Sequence, residues 1–171
     1  DALAFHARRP FPWINPRGLL QDEAFEQLHA EFPDLALFER HQGLVRKGIL
    51  RPHDRFYLEL GGSIYRAGSD GPGILQPDQL PESWRAFVEE LRTSALYRDL
   101  LRRTLGSRSF RCYFSWHVGT DGSEVCPHVD APRKLGTHIF YFNADDDWDP
   151  AWGGSTLVLS DCPGRSEEHT S

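Results

Sequence analysis

Thr137-His138-Ile139-Phe140-Tyr141-Phe142-Asn143 is the stretch on which the fold class turns. It is β-branched and aromatic, a composition that suits a pleated surface, and it reads as a strand. Alternate side chains of a strand share a face, so Thr137 and Tyr141 point one way and His138 the other. Downstream, Thr156-Leu157-Val158-Leu159 reads as a second strand. Upstream, Phe110, Cys112, Phe114 and Trp116 alternate as a third.

The chain before these strands has helical spacing. Asp22 and Glu23 place acids at the positive end of a helix that carries Phe25, Leu28 and Phe32 and stops at Pro33. Pro81 opens another, with Trp84, Phe87, Val88 and Leu91 on one face. Ser94 caps a third, in which Leu96, Leu100, Leu101 and Leu105 are expected to face inward. Arg102 and Arg103 lie in its last turn and Gly106 just past its end. Phe11–Ile14 reads as a short strand, Phe56–Leu60 as another closed by Gly61-Gly62, and 68–77 as loop. Helices first and short strands after predict an α+β domain whose second half is a sandwich or barrel.

Composition removes several function classes. The 171 residues carry 19 Lys and Arg against 25 Asp and Glu, a net charge of −6 with no basic block, which argues against nucleic acid as the partner. No run approaches the length of a membrane span, so no membrane partner is expected. Three cysteines (Cys112, Cys126, Cys162) are too few and oddly numbered for a disulfide framework. They also lack the paired spacing of a zinc site. Reduced thiols and a cytoplasmic location are the expectation. No Ser/His/Asp order and no phosphate-cradling glycine loop is present.

The ends of the chain carry an expectation of their own. There is no methionine anywhere. Arg165-Ser166-Glu167-Glu168-His169-Thr170-Ser171 resembles the translation of a sequencing-adapter oligonucleotide. The natural sequence is therefore expected to stop near Gly164, with 165–171 as a non-native tail.

Chemistry concentrates in Cys126-Pro127-His128-Val129-Asp130. On an extended backbone, His128 and Asp130 point to the same side. An imidazole and a carboxylate are two of the three ligands of a facial triad, which holds Fe(II) and leaves open coordination positions. By itself a His-x-Asp triplet is more often a solvated surface pair than a metal site.

The triplet has a context. It is followed by Lys134, the stretch ending Tyr141-Phe142-Asn143, Trp148, and then Trp152-Gly153-Gly154-Ser155-Thr156-Leu157. That ordered string resembles the Fe(II)- and 2-oxoglutarate-dependent dioxygenases, in particular the prolyl 4-hydroxylase-like branch, closely over 109–161 and loosely over 11–105. The resemblance implies a double-stranded β-helix (jelly-roll) core at 109–164, incomplete at its C-terminal end, with 1–108 as a strand and helical support of the same domain. It implies His128 and Asp130 as metal ligands, Tyr141 as the residue reaching the far carboxylate of 2-oxoglutarate, and Thr137 lining the same pocket. No catalytic residue beyond the metal ligands is implied. Fe(II), 2-oxoglutarate and O₂ are the implied cofactors and cosubstrates, with ascorbate as an optional reductant. The implied reaction hydroxylates an unactivated C–H of a small-molecule or peptidyl substrate, a prolyl residue among the candidates, and releases succinate and CO₂.

In that family a second histidine ligand and a basic partner for 2-oxoglutarate follow on later strands. His138 points away from Tyr141, and His169 lies in the suspect tail, so both missing groups are expected beyond the C-terminus. The chain as written is then expected to be poorly soluble and without turnover. Cys126 reads as a buried thiol, His117 as a surface histidine beside a turn, Asp145-Asp146-Asp147 as a solvated acidic loop, and Gly153-Gly154 as a tight turn. Two rival readings are a metal-binding jelly roll without oxygenase activity and a same-fold hydroxylase of a free amino acid or other small molecule.

Overall fold

A computed structural model describes residues 2–46, 49–63, 68–128, 130, 132–144 and 146–160. His169 and the 165–171 tail, Cys162 and Asp145 lie outside the described residues. The class is α+β. Four α-helices are described, α1 (Ala2–Ala7), α2 (Asp22–Ala30), α3 (Glu82–Thr93) and α4 (Ala95–Leu105). Five strands accompany them, β1 (Glu39–Arg46), β2 (Ile49–Leu60), β3 (Ile74–Leu75), β4 (Ser115–Val118) and β5 (Glu124–Val125). Two compact units interleave along the chain: one contains 20–94 and 111–126, the other 1–19, 95–110 and 127–171.

The first unit is built on β2, which pairs with each of the other strands. β1 runs antiparallel to it from Glu39↔Tyr57 to Arg46↔Ile49, with a register shift between Gln42 and Leu44. Gly43, at φ 76°, supplies the left-handed residue such a bulge uses. β3 adds in parallel at Glu59↔Ile74 and Leu60↔Leu75. β4 and β5 add antiparallel, at 56–59 and 53–54 of β2. Those overlaps put β1 and β3 along one edge of β2 and β5 and β4 along the other. The sheet is open.

One face of this sheet meets helices. Leu58, 1% exposed, sits opposite Trp116 on β4. Trp84 of α3 packs edge-on to Trp116 at 5.3 Å and to Phe32 and Phe87 at 5.9 Å. Its indole N–H donates to the Leu28 carbonyl of α2 at 3.0 Å, so this large side chain enters the core with its polar atom satisfied. Trp84 and Val88 are the buried part of the expected α3 face, and Phe87 and Leu91 are half-buried. α2 ends at Ala30, two residues before the expected Phe32, because Pro33 disfavours helical backbone at the residue before it. The Glu31 and Phe32 amides close the turn on Gln27 and His29 carbonyls instead.

In the second unit α4 ends as its sequence predicts. Arg102 and Arg103 occupy the last turn, and Gly106, at φ 65°, donates its N–H to the Arg102 carbonyl at 3.0 Å. Its facing differs from expectation. Leu96 and Leu100 are exposed, and the sheltered side is Tyr97, Leu101, Thr104 and Leu105. The helix is turned because Tyr97 engages His138 and Arg98 lies over the Phe110 ring at 5.3 Å. All eleven buried apolar side chains among the described residues, from Leu28 to Cys126, belong to the first unit.

Three expected strands are absent as paired elements among the described residues: Phe11–Ile14, Thr137–Asn143 and Thr156–Leu159. The alternating stretch from Phe110 becomes a strand only from Ser115, although the Phe114 carbonyl already accepts from the Leu60 N–H at 3.0 Å. The physical reason is that β propensity measures fit against a neighbour, and a strand exists only where a partner pairs with it. Period two nevertheless survives in 137–143. His138, Phe140 and Phe142 are half-buried, whereas Thr137, Ile139, Tyr141 and Asn143 are exposed.

Candidate metal centre

His128 and Asp130 converge. His128 Nε2 lies 3.8 Å from Asp130 Oδ1, with the two side chains 37% and 43% exposed. The chain then turns at Pro132-Arg133 and comes back, so that Thr137 reaches Asp130 from seven residues on. The Thr137 hydroxyl donates to Asp130 Oδ2 at 2.9 Å, and Lys134 Nζ pairs with the same oxygen at 3.1 Å. Partial burial alone would raise the Asp130 carboxyl pKa. The Lys134 hydrogen bond and charge, the Thr137 hydroxyl and the His128 ring outweigh it and hold the pKa below the usual 3.8.

Whether these donors suit a metal is a question of distance. Adjacent donors on a six-coordinate ion with bonds of about 2.1 Å stand about 3 Å apart. A gap of 3.8 Å between two half-exposed side chains closes by small rotations of either. One imidazole and one carboxylate therefore fit two positions of an Fe(II) site. Among the described residues no group of three or more His, Cys, Asp or Glu side chains comes together that could hold a metal ion.

The remaining candidates take separate places. The Tyr141 hydroxyl shares a hydrogen bond with Thr156 Oγ1, joining the two stretches expected to be strands. Tyr141 and Thr137 both lie on the exposed side of the extended segment. His138 points the other way. Its Nδ1 shares a 2.8 Å hydrogen bond with the Tyr97 hydroxyl, its ring lies 4.1 Å from that of Phe140, and burial lowers its pKa below 6.5.

His117 is exposed on β4, where Nε2 shares a 3.0 Å hydrogen bond with Ser115 Oγ. Cys126 is buried. Gly153 and Gly154, at φ 83° and 80°, form a turn whose Gly153 carbonyl accepts from the Trp148 indole at 3.0 Å.

Two features were not read from the sequence. One is the attachment of Lys134 to Asp130, for which Asp-x-x-x-Lys spacing was the available signal. The other is the aromatic and histidine cluster on β2, where Tyr57 contacts His41 at 5.1 Å and His117 at 4.7 Å between ring centroids. The alternation in Arg55-Phe56-Tyr57-Leu58-Glu59 would have placed Tyr57 on a face opposite Leu58.

No helix among the described residues is long and apolar enough to cross a membrane. The chain matches no protein-family model, no curated protein and no solved structure.

Proposed function

We propose that His128 and Asp130 are ligands to Fe(II) in a 2-oxoglutarate-dependent dioxygenase. The observation that carries the reading is the 3.8 Å approach of His128 Nε2 to Asp130 Oδ1, with the second carboxylate oxygen already held by Thr137 and Lys134. A surface pair needs no such second layer, whereas metal-ligating carboxylates are ordinarily anchored by hydrogen bonds from neighbours. Bound iron, together with 2-oxoglutarate and O₂, would supply the oxidising power for hydroxylating an unactivated C–H.

The protein's own share is to present two donors on one side of an extended segment. Thr137 and Tyr141, exposed on that segment, are where the cosubstrate would be received. Asp130 is ionised at neutral pH, the form a metal requires. The domain proposed to hold this site is a jelly roll in which Thr137–Asn143 and Thr156–Leu159 are strands. Support comes from the period-two exposure of 137–143 and from the Tyr141–Thr156 hydrogen bond between the two stretches. A small molecule or a peptidyl residue is the substrate class.

The test is succinate formation from 2-oxoglutarate under O₂ and Fe(II), on the gene product at its native length. Asp130→Ala should abolish it. Full turnover in that variant would remove the iron site. Co(II) binding that depends on both residues, without 2-oxoglutarate turnover, would leave a metal-binding module instead.

A further inference from the structure

The Asp130 carboxylate is held asymmetrically. Among the described residues, two side chains act on a single one of its oxygens: Thr137 Oγ1 donates to Oδ2 at 2.9 Å and Lys134 Nζ pairs with Oδ2 at 3.1 Å. The other oxygen, Oδ1, is the one 3.8 Å from His128 Nε2. A carboxylate can bind a metal through one oxygen or both, and the choice sets how many coordination positions remain for other ligands. An oxygen that already accepts a hydroxyl and an ammonium has little capacity left for a cation.

We infer that Thr137 is a positioning residue of the metal site, holding Oδ2 so that Asp130 offers Oδ1 alone on the side of His128. This rests on the iron reading above. In this role Thr137 acts through Asp130. Its hydroxyl is neutral, so it orients the carboxylate without opposing a divalent cation. Lys134 holds the same oxygen but adds a positive charge close to the metal position, which works against metal affinity. The two neighbours of Oδ2 are thus separable by the sign of their effect.

The experiment is Co(II) titration of the gene product at its native length, followed by visible absorption, with thermal unfolding of each variant as control. Thr137→Val is expected to weaken Co(II) binding about tenfold, the lower end of what loss of an outer-shell partner costs. Thr137→Ser, which restores the hydroxyl, is expected to bind within about twofold of wild type by the same reasoning. Lys134→Met is expected to bind at least as tightly as wild type. Where Thr137→Val lowers the unfolding midpoint, Thr137→Ala takes its place in the comparison with Ser.

Equal affinity of the Val variant and wild type overturns the inference, as does a Ser variant as weak as Val. Weaker binding in Lys134→Met also overturns it, because the ion pair would then be what holds the carboxylate. A wild-type chain that takes up no Co(II) removes the iron reading itself. Wild-type binding with an unaffected Val variant removes only the role of Thr137.

Discussion

His138 and Tyr97 are bound to one another twice over: their rings stack at 5.7 Å, and Nδ1 and the phenol oxygen share a 2.8 Å hydrogen bond. The pair ties α4 to the segment that follows the candidate ligands. It also explains why α4 shelters Tyr97 and leaves Leu96 outside.

The first prediction concerns pH. Burial lowers the His138 pKa below 6.5, so the unfolded chain takes up a proton before the folded one does. Folding stability should therefore fall as pH drops through 6.5 and level off once the folded-state pKa is passed. Denaturant midpoints measured from pH 8 to 5 in wild type and in His138→Phe would show it. The variant should lose this part of the slope.

Tyr97→Phe should cost about 0.5–1.5 kcal/mol, the usual net worth of one hydrogen bond. Ring stacking is kept in this variant. Chemical denaturation at pH 8, where His138 is neutral, isolates the effect.

Asp130 acts in the same sense, in a more acidic range. Its depressed pKa means that the folded state stays ionised where the unfolded chain has begun to protonate. Its contribution is present above the ordinary 3.8 and is lost as pH falls through the lower folded-state value. The carboxylate is nearly half exposed, so solvent and salt screen the effect. Acid unfolding of Lys134→Met against wild type, at low and high ionic strength, should show a small difference that added salt erases.

Trp84 anchors the first unit, with 3% of its surface exposed and contacts to Phe32, Phe87 and Trp116. Trp84→Ala should cost about 3–5 kcal/mol. Trp84→Phe should lose less, mainly the indole bond to Leu28. Equilibrium unfolding with probes in that unit would rank the two.

Gly73 cannot be replaced without strain. At φ 70°, a Cβ there would stand 2.7 Å from Glu39 Cβ and 3.1 Å from the Tyr57 carbonyl. Both neighbours belong to paired strands that yield little. Gly73→Ala should destabilise by more than the about 1 kcal/mol usual for a left-handed residue alone, and a thermal melt would register it.

Legibility in the sequence followed locality. The three longer helices were readable because Pro33, Pro81 and Gly106 act within a turn of where they stand. The His128–Asp130 approach was readable for the same reason, since one intervening residue on extended backbone sets it. β1 was not. Glu39-Arg40-His41-Gln42-Gly43-Leu44-Val45-Arg46 is mostly polar and becomes a strand through the pairing β2 offers.

Thr137–Asn143 is the reverse case: it has every local mark of a strand and no paired strand among the described residues. On a hydrophobic count the four leucines of α4 outweigh its one tyrosine, yet the structure shelters Tyr97 and exposes Leu96 and Leu100. The hydrogen bond to His138, forty-one residues away, had no local trace.

β2 is the one strand that every ladder in the sheet shares. An opening that freed Asp54–Leu60 would release β3, β4 and the Glu39–Gln42 half of β1 together, so their protected amides cannot exchange with solvent by independent routes. Hydrogen exchange in this unit should then show a plateau, with amides of 56–60 and 115–118 leaving at one common free energy equal to global unfolding of the unit. The far arm of the β1–β2 hairpin, from Leu44↔Arg51 to Arg46↔Ile49, has no third strand beside it among the described residues. Its amides should fray at a lower free energy, giving the sheet a slow centre and a fast tip.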